Sequence, residues 1–248
     1  MATVLITGTS KGIGFETALA FAKAGHRVLA TMRNPSQAPQ SAELAMDENL
    51  NISVSRMDVD SDESVRDGMD ALLAEGPIDI LVNNAGVEAV GSVEEQPLSR
   101  FRAIMETNYF GAIRCIQAVV PQMRIRQSGC IVNVSSIAGI FSAPPFAAYC
   151  ASKWALHAMS GALAGEMKTY NVRVALVGPG IIDTAMAQRI SMPGETSHYR
   201  QGARYAMLFS NSLQQPVPPS LVANKILEVA ASGTWPRACS AREASGIT

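Results

Sequence analysis

Tyr149-Cys150-Ala151-Ser152-Lys153 sets a phenol and an ammonium four residues apart, which on a helix puts both on one face. With five tyrosines and five lysines in 248 residues, chance yields about 0.1 pairs at this spacing. A phenol of pKa about 10 is a poor base at neutral pH, and a neighbouring ammonium favours its phenolate. A second segment, Thr7-Gly8-Thr9-Ser10-Lys11-Gly12-Ile13-Gly14, spaces glycine as G-x-x-x-G-x-G between a strand and a helix. Glycine there lets the chain turn tightly and brings backbone N–H groups and a helix N-terminus up to a pyrophosphate. The spacing is not the G-x-G-x-x-G of the standard dinucleotide fingerprint, and no G-K-[ST] closes a Walker loop. Taken without its neighbours, the segment also reads as a glycine-shaped β–α turn.

A site for NAD places an acid at the end of the second strand to hold the ribose 2′-OH. Here that place reads Ala30-Thr31-Met32-Arg33-Asn34, with no acid before Glu43. Arg33, supported by Lys11, suits a 2′-phosphate through charge-assisted hydrogen bonds. NADP is therefore the expected cofactor and NAD the alternative, in which case both cations are solvated surface groups. Other polar landmarks are Asn83-Asn84-Ala85-Gly86, the pair Ser135-Ser136, and Asn108, a mediocre helix former in an otherwise apolar helical stretch.

These groups need a scaffold. Short β-branched runs recur at Val4–Thr7, Val28–Thr31, Ile52–Met57, Ile78–Val82, Ile131–Val134 and Val172–Val177. Helical spacing fills Ile13–Ala24, Ser64–Leu73, Phe101–Val120, Tyr149–Tyr170 and Leu221–Ala231. The alternation predicts an α/β, doubly wound parallel sheet whose continuous apolar strands are covered on both faces. Chemistry then belongs at the carboxyl ends of the strands. No boundary divides residues 1–248, so one domain is expected, with 185–219, rich in Pro, Gly, Met and Tyr, as a substrate-binding lid; no last strand is recognisable in 233–248.

In this order and at these separations the motifs resemble the short-chain dehydrogenase/reductase family over almost the whole chain. The resemblance rests on T-G-x-x-x-G-I-G at Thr7–Gly14, N-N-A-G at Asn83–Gly86, Asn108, a serine thirteen residues ahead of Tyr149, Tyr-x-x-x-Lys, and Pro179-Gly180 followed by Thr184. It implies a Rossmann fold with Tyr149 as general acid/base and Lys153 as its electrostatic partner and ribose ligand. Ser136, preferred to Ser135, would donate to the substrate oxygen, and Asn108 would anchor a proton-relay water. Cofactor contacts are implied for Gly8, Ser10, Lys11, Gly12, Ile13, Gly14, Arg33, Asp58, Val59, Asn84, Ala85, Gly86, Tyr149, Lys153, Pro179, Gly180, Ile182 and Thr184. Among these Asp58 would lie at the adenine, and Ile182 and Thr184 at the nicotinamide carboxamide. The fragment Ala30–Asn34 looks closer to members acting on steroids or retinoids than to fatty-acid-synthesis reductases. The family also implies a homodimer or homotetramer, formed through the helices of Asn108 and Tyr149.

Composition narrows the rest. The chain is 48% apolar and 17% charged, with 20 basic and 21 acidic residues, so its net charge of −1 gives no field to hold nucleic acid or an anionic membrane. No apolar run reaches the roughly 18 residues needed to span a bilayer. Met1-Ala2-Thr3 enters the first strand without a leader, so a cytoplasmic setting is expected. Four scattered cysteines and three histidines lack metal-ligand spacing and read as reduced thiols and ordinary imidazoles. Val87, Val90, Ile140, Phe141, Pro144, Pro145, Phe146 and the lid's Met and Tyr residues suggest an uncharged, lipophilic substrate. Arg189, Arg200 and Arg204 are the only cations in these segments. The reading is an NADP(H)-dependent oxidoreductase interconverting a ketone and a secondary alcohol. The rivals are an NAD-dependent alcohol dehydrogenase, a sugar-nucleotide epimerase, disfavoured by length and loop spacing, and a dinucleotide sensor without catalysis.

Overall fold

Val4, Leu5 and Ile6 are all fully buried, as three consecutive residues are only where a strand has a layer packed on each face. In the computed structural model, which describes residues 1–38, 43, 47–190, 197–215 and 217–232, this strand is β1 (Thr3–Thr7). It lies inside a sheet with β2 (Arg27–Met32), β3 (Ile52–Arg56), β4 (Ile80–Asn83), β5 (Gly129–Val134) and β6 (Val172–Val177). All pairings are parallel, in the order β3-β2-β1-β4-β5-β6. The chain winds outward from β1 to β3, then crosses back to lay β4 against β1, with Ile6 opposite Val82. That reversal opens a crevice beyond the carboxyl ends of β1 and β4.

The helices divide between the faces. On one, α1 (Gly12–Lys23) and the last helix, α8 (Pro219–Ala231), bring Phe21, Ala22, Val222 and Ile226 onto Val4, Ile6, Val132 and Val177. On the other, α2 (Asp62–Ala74), α4 (Gly111–Arg126) and α5 (Ala147–Met167) bring Met69, Cys115, Met123 and Leu163 onto Leu5, Leu81 and Ile131. Between α2 and α4 lies the short α3 (Leu98–Met105), and α6 (Ala185–Gln188) and α7 (Gln201–Ser212) follow β6. Ser61 starts α2, its hydroxyl accepting from the Ser64 N–H ahead of Asp62 and Glu63 in the positive first turn. Cys115, Cys130 and Cys150 are buried and unpaired. Among the described residues no helix is long and apolar enough to cross a membrane.

Four sequence expectations are corrected in detail. The fourth strand starts at Ile80 rather than Ile78, because the Ile78 carbonyl accepts from the Gln122 and Arg126 side chains. Strand β3, on the sheet's edge, is not continuously apolar: its Ser53 and Arg56 are exposed. The helix expected over Phe101–Val120 is interrupted by a π turn, Glu106–Phe110, and then runs through Pro121 to Arg126, at the loss of one helical hydrogen bond. The helix expected to reach Tyr170 ends at Met167 in a 3₁₀ turn. The tail from 233 lies outside the described residues.

Beneath the crevice runs a buried polar chain. Asn83 donates to Asn133 Oδ1 (2.9 Å), Asn133 to Ser160 Oγ (2.8 Å), and Ser160 to the Leu156 carbonyl (2.7 Å). It links β4, β5 and α5 below the strand ends that carry the polar motifs. Asn133→Ala strips the Asn83 amide of its partner, and an unsatisfied buried donor costs about 1–3 kcal/mol. Urea unfolding should show that loss as a lower midpoint with an unchanged slope.

Candidate active site

The glycine loop is shaped by contacts at the crevice. Gly8 and Gly12 have φ of +71° and +61°, the left-handed region that disfavours side chains. A Cβ on Gly14 would lie 2.3 Å from both Asn84 Nδ2 and the Gly8 carbonyl oxygen. Asn84 braces the loop by donating to the Thr7 and Gly8 carbonyls at 2.9 and 3.0 Å. Buried Thr7, absent from the sequence-based site, accepts from the Asn84 and Ala85 N–H groups through its hydroxyl. Helix α1 then begins with no side-chain cap and no acid in its first turn, so its N–H groups and positive end are left for an anion.

A single cleft of about 1400 Å³ runs from this loop to the Tyr-x-x-x-Lys helix. Its walls include every sequence-predicted cofactor residue: Gly8, Ser10, Lys11, Gly12, Ile13, Gly14, Arg33, Asp58, Val59, Asn84, Ala85, Gly86, Tyr149, Lys153, Pro179, Gly180, Ile182 and Thr184. A bare glycine cradle, an uncapped helix end and the exposed cations Lys11 and Arg33 fit a phosphorylated dinucleotide. Asp58 accepts from the Asp60 N–H, and Val59 packs on Gly111. Thr184 uses its hydroxyl to cap α6, accepting from Ala187. Asp60, which the sequence did not single out, also lines the cleft. Its carboxyl is lifted above the usual range by burial, despite Thr107 Oγ1 donating to it at 3.0 Å.

At the other end, Tyr149, Ser136 and Ser135 all line the cleft; Tyr149 and Ser136 are half-buried, while Ser135 is 3% exposed, with its Oγ 2.7 Å from where a Cβ on Gly139 would lie. Lys153, 4% exposed, donates from Nζ to the Val134 carbonyl at 2.9 Å and stands 5.8 Å from the centre of the Tyr149 ring. Asn108 lies in the π turn, not in a regular helix. Its Oδ1 accepts from Val87 N–H (2.8 Å), and its Nδ2 donates to the Val87 carbonyl and to Ser152 Oγ (both 2.9 Å). Ser152, also missed, donates on to the Tyr149 carbonyl at 2.7 Å. Its position inside the Tyr-x-x-x-Lys motif was the available signal. The Val134 carbonyl, a backbone group, left none.

The expected lowering of the phenol calls on both the ammonium and the positive nicotinamide ring; in the chain alone, burial pushes Tyr149 up to about 12, opposed by hydrogen bonding from Ser136 and reinforced by the charge of Glu88. Burial also pulls Lys153 down to about 8. Desolvation penalises both charged forms, so the phenolate needs further positive charge beside it.

The substrate end matches its expected lining in part. Val87, Phe141, Phe146, Met186, Tyr205, Phe209 and Arg189 face the cleft. Pro144, Pro145 and Tyr199 instead line a second hollow behind it, Pro145 being turned by its carbonyl accepting from Gly91. Val90 and Ile140 line neither hollow, and Arg200 and Arg204 are exposed outside both. Met192 lies outside the described residues. Phe146 meets Tyr205 and Phe209 of α7 at ring-centre distances of 6.1 and 5.5 Å. Residues ahead of α7 are tethered by Glu95, which accepts from Ser197 Oγ and His198 N–H, both at 3.0 Å.

A profile of the short chain dehydrogenase family matches residues 2–193. Human retinol dehydrogenase 8 is 38% identical over 212 residues, covering 79% of this chain and 67% of its own. A 3-ketodihydrosphingosine reductase from Bacteroides thetaiotaomicron is 35% identical over 215 residues, covering 85% of this chain and 74% of its own. Among solved structures, a variant of the actinorhodin polyketide ketoreductase with NADPH superposes with a TM-score of 0.84 at 26% identity, over 94% of this chain and 91% of that one. A match that begins at the first strand and ends in the segment after α6, with relatives of this identity, makes the chain a member of the short-chain dehydrogenase/reductase family of oxidoreductases.

Proposed function

We propose that the protein interconverts a ketone and a secondary alcohol on a lipophilic substrate, with NADP(H) as cofactor and Tyr149 as general acid/base. The observation that carries this is the meeting of Tyr149, Ser136 and Lys153 in the same cleft as the glycine loop. Tyr149 gives its proton to the carbonyl oxygen in reduction and takes it back in oxidation. Ser136 donates a hydrogen bond to the same oxygen as negative charge builds there. Lys153, fixed by Val134, holds the ribose and lends its charge to the phenol. Asn108, held from three sides, anchors the water through which the proton is replaced. When bound, the nicotinamide supplies or accepts the hydride, and its oxidised ring adds the positive charge that favours the phenolate.

Arg33 and Lys11 support NADP over NAD, since both are exposed at the adenosine end and neither has an ion-pair partner among the described residues. Phe141, Phe146, Tyr205 and Phe209 support an apolar substrate, and the names of the relatives, for a retinol and a ketodihydrosphingosine, agree with one. A homodimer or homotetramer in the cytoplasm completes the reading. Exposed Phe110 in the π turn and Trp154 on α5 are apolar groups a partner copy would cover.

Tyr149→Phe should lower kcat about 10²–10⁴-fold with NADPH still binding, as followed by calorimetry; undiminished turnover would refute the acid/base role. Arg33→Ala should weaken NADPH far more than NADH, and equal losses would remove the cofactor preference. Reduction needs a neutral phenol and a charged lysine. With Lys153 pulled down to about 8, its rate should be steady on the acid side and fall as the pH rises through that value.

A further inference from the structure

Glu88 is an acid in an apolar stretch, Val87-Glu88-Ala89-Val90, immediately beyond the Asn-Asn-Ala-Gly motif. Its backbone is set by the groups that set the catalytic residues. Asn108 grips both the N–H and the carbonyl of Val87, Ala89 is 1% exposed, and Gly86 is so close that a Cβ there would lie 3.3 Å from Asn108 Oδ1. The side chain is half-buried, lines the cleft with Tyr149, Phe141 and Phe146, and is near enough for its charge to act on the Tyr149 phenol.

No described residue takes this carboxylate. Two cations face it, Arg100 from α3 and Arg189 from the end of α6. Arg100 donates instead to the Glu88 backbone carbonyl (3.4 Å), Arg189 to the Ala185 carbonyl (2.9 Å), and neither makes an ion pair with it. Burial outweighs both and lifts the carboxyl to about 7. A rigidly held, desolvated acceptor without a structural partner in a ligand cleft is placed for a ligand.

We propose that Glu88 determines substrate specificity by accepting a hydrogen bond from a hydroxyl or ammonium group that an otherwise apolar ketone substrate carries beside its reacting carbonyl. This rests on the oxidoreductase reading above and narrows it, the apolar body lying against Phe141, Phe146 and the lid helix α7.

Acetophenone, 2-hydroxyacetophenone and 2-aminoacetophenone differ only in the group beside the carbonyl. For the wild-type chain with NADPH, kcat/KM for a donor-bearing ketone should exceed that for acetophenone about 10- to 100-fold, as expected for a hydrogen bond to a charged acceptor. Glu88→Leu should bring that ratio close to one. Glu88→Gln, similar in shape and still an acceptor, should keep much of the hydroxyl preference and lose the ammonium preference, which distinguishes the two donors. The same ratio in the wild type and Glu88→Leu would overturn the proposal, as would the absence of any wild-type preference. Calorimetric titration with the three ketones reads Glu88 independently of turnover. Selective binding abolished by Glu88→Leu, with no NADPH oxidised, would overturn the oxidoreductase reading and keep Glu88 as the recognition group. Binding equal across ketones and variants would overturn the Glu88 proposal even where turnover proceeds.

Discussion

The site depends on one buried carboxamide. Asn108 is 1% exposed and spends its oxygen on the Val87 N–H and its amide on the Val87 carbonyl and Ser152. It thereby ties together three elements: the chain leaving β4, the π turn, and α5 with Tyr149 and Lys153. A regular helix through 106–110 would rotate that side chain away from one of its partners. The π turn, which is frequent at functional sites, is held from outside by Arg114, paired with Glu106 and Asp62, and by Gly111 set against Val59. Packing outside the Tyr149–Lys153 helix therefore helps decide where the phenol stands.

The second constraint is electrostatic. Tyr149, Lys153 and Glu88 share a poorly solvated end of the cleft, and burial drives each toward its neutral form. A phenol raised to about 12 stays protonated near neutral pH in the chain by itself, so forming its phenolate calls for added positive charge beside it. Lys153 cannot supply it alone, since the burial that fixes it against Val134 also weakens its hold on a proton.

Much of this was legible in the sequence because it is local. β-branched runs and glycine spacing report strand and turn directly, and β6 has the bounds read from its residues. The preference for Ser136 over Ser135 rests on family spacing, and in the fold both line the cleft, Ser136 half-buried and Ser135 buried. The π turn was not legible, since two of the contacts that hold it, the Arg114–Asp62 ion pair and the Gly111–Val59 contact, join residues about fifty apart. Nor was the direction of the Tyr149 shift, because spacing gives the proximity of a cation and not how far both groups are desolvated. Glu88 went unnoticed because attention fell on the apolar residues around it. The apolar list itself divided, with Phe141 and Phe146 in the cleft and Pro144 and Pro145 behind it, as the chain doubles back at Gly91.

The walls of the substrate end differ in kind, and that difference separates orientation from shape. The wall of Val87, Glu88 and Tyr149 hangs from β4 and α5 and is fixed by the hydrogen bonds of Asn108 to Val87 and of Ser152 to the Tyr149 carbonyl. The opposite wall is α7, held to the body by ring contacts with Phe146, with the segment before it tied to Glu95. Ring contacts and exposed tethers yield far more easily than a buried amide network. A ligand group meeting the fixed wall is placed to within a hydrogen bond of the phenol, whereas one meeting α7 selects only volume and apolarity. The rigid β4 side is therefore the wall able to fix a ligand's orientation, and in Glu88 it holds a polar group that no described residue satisfies.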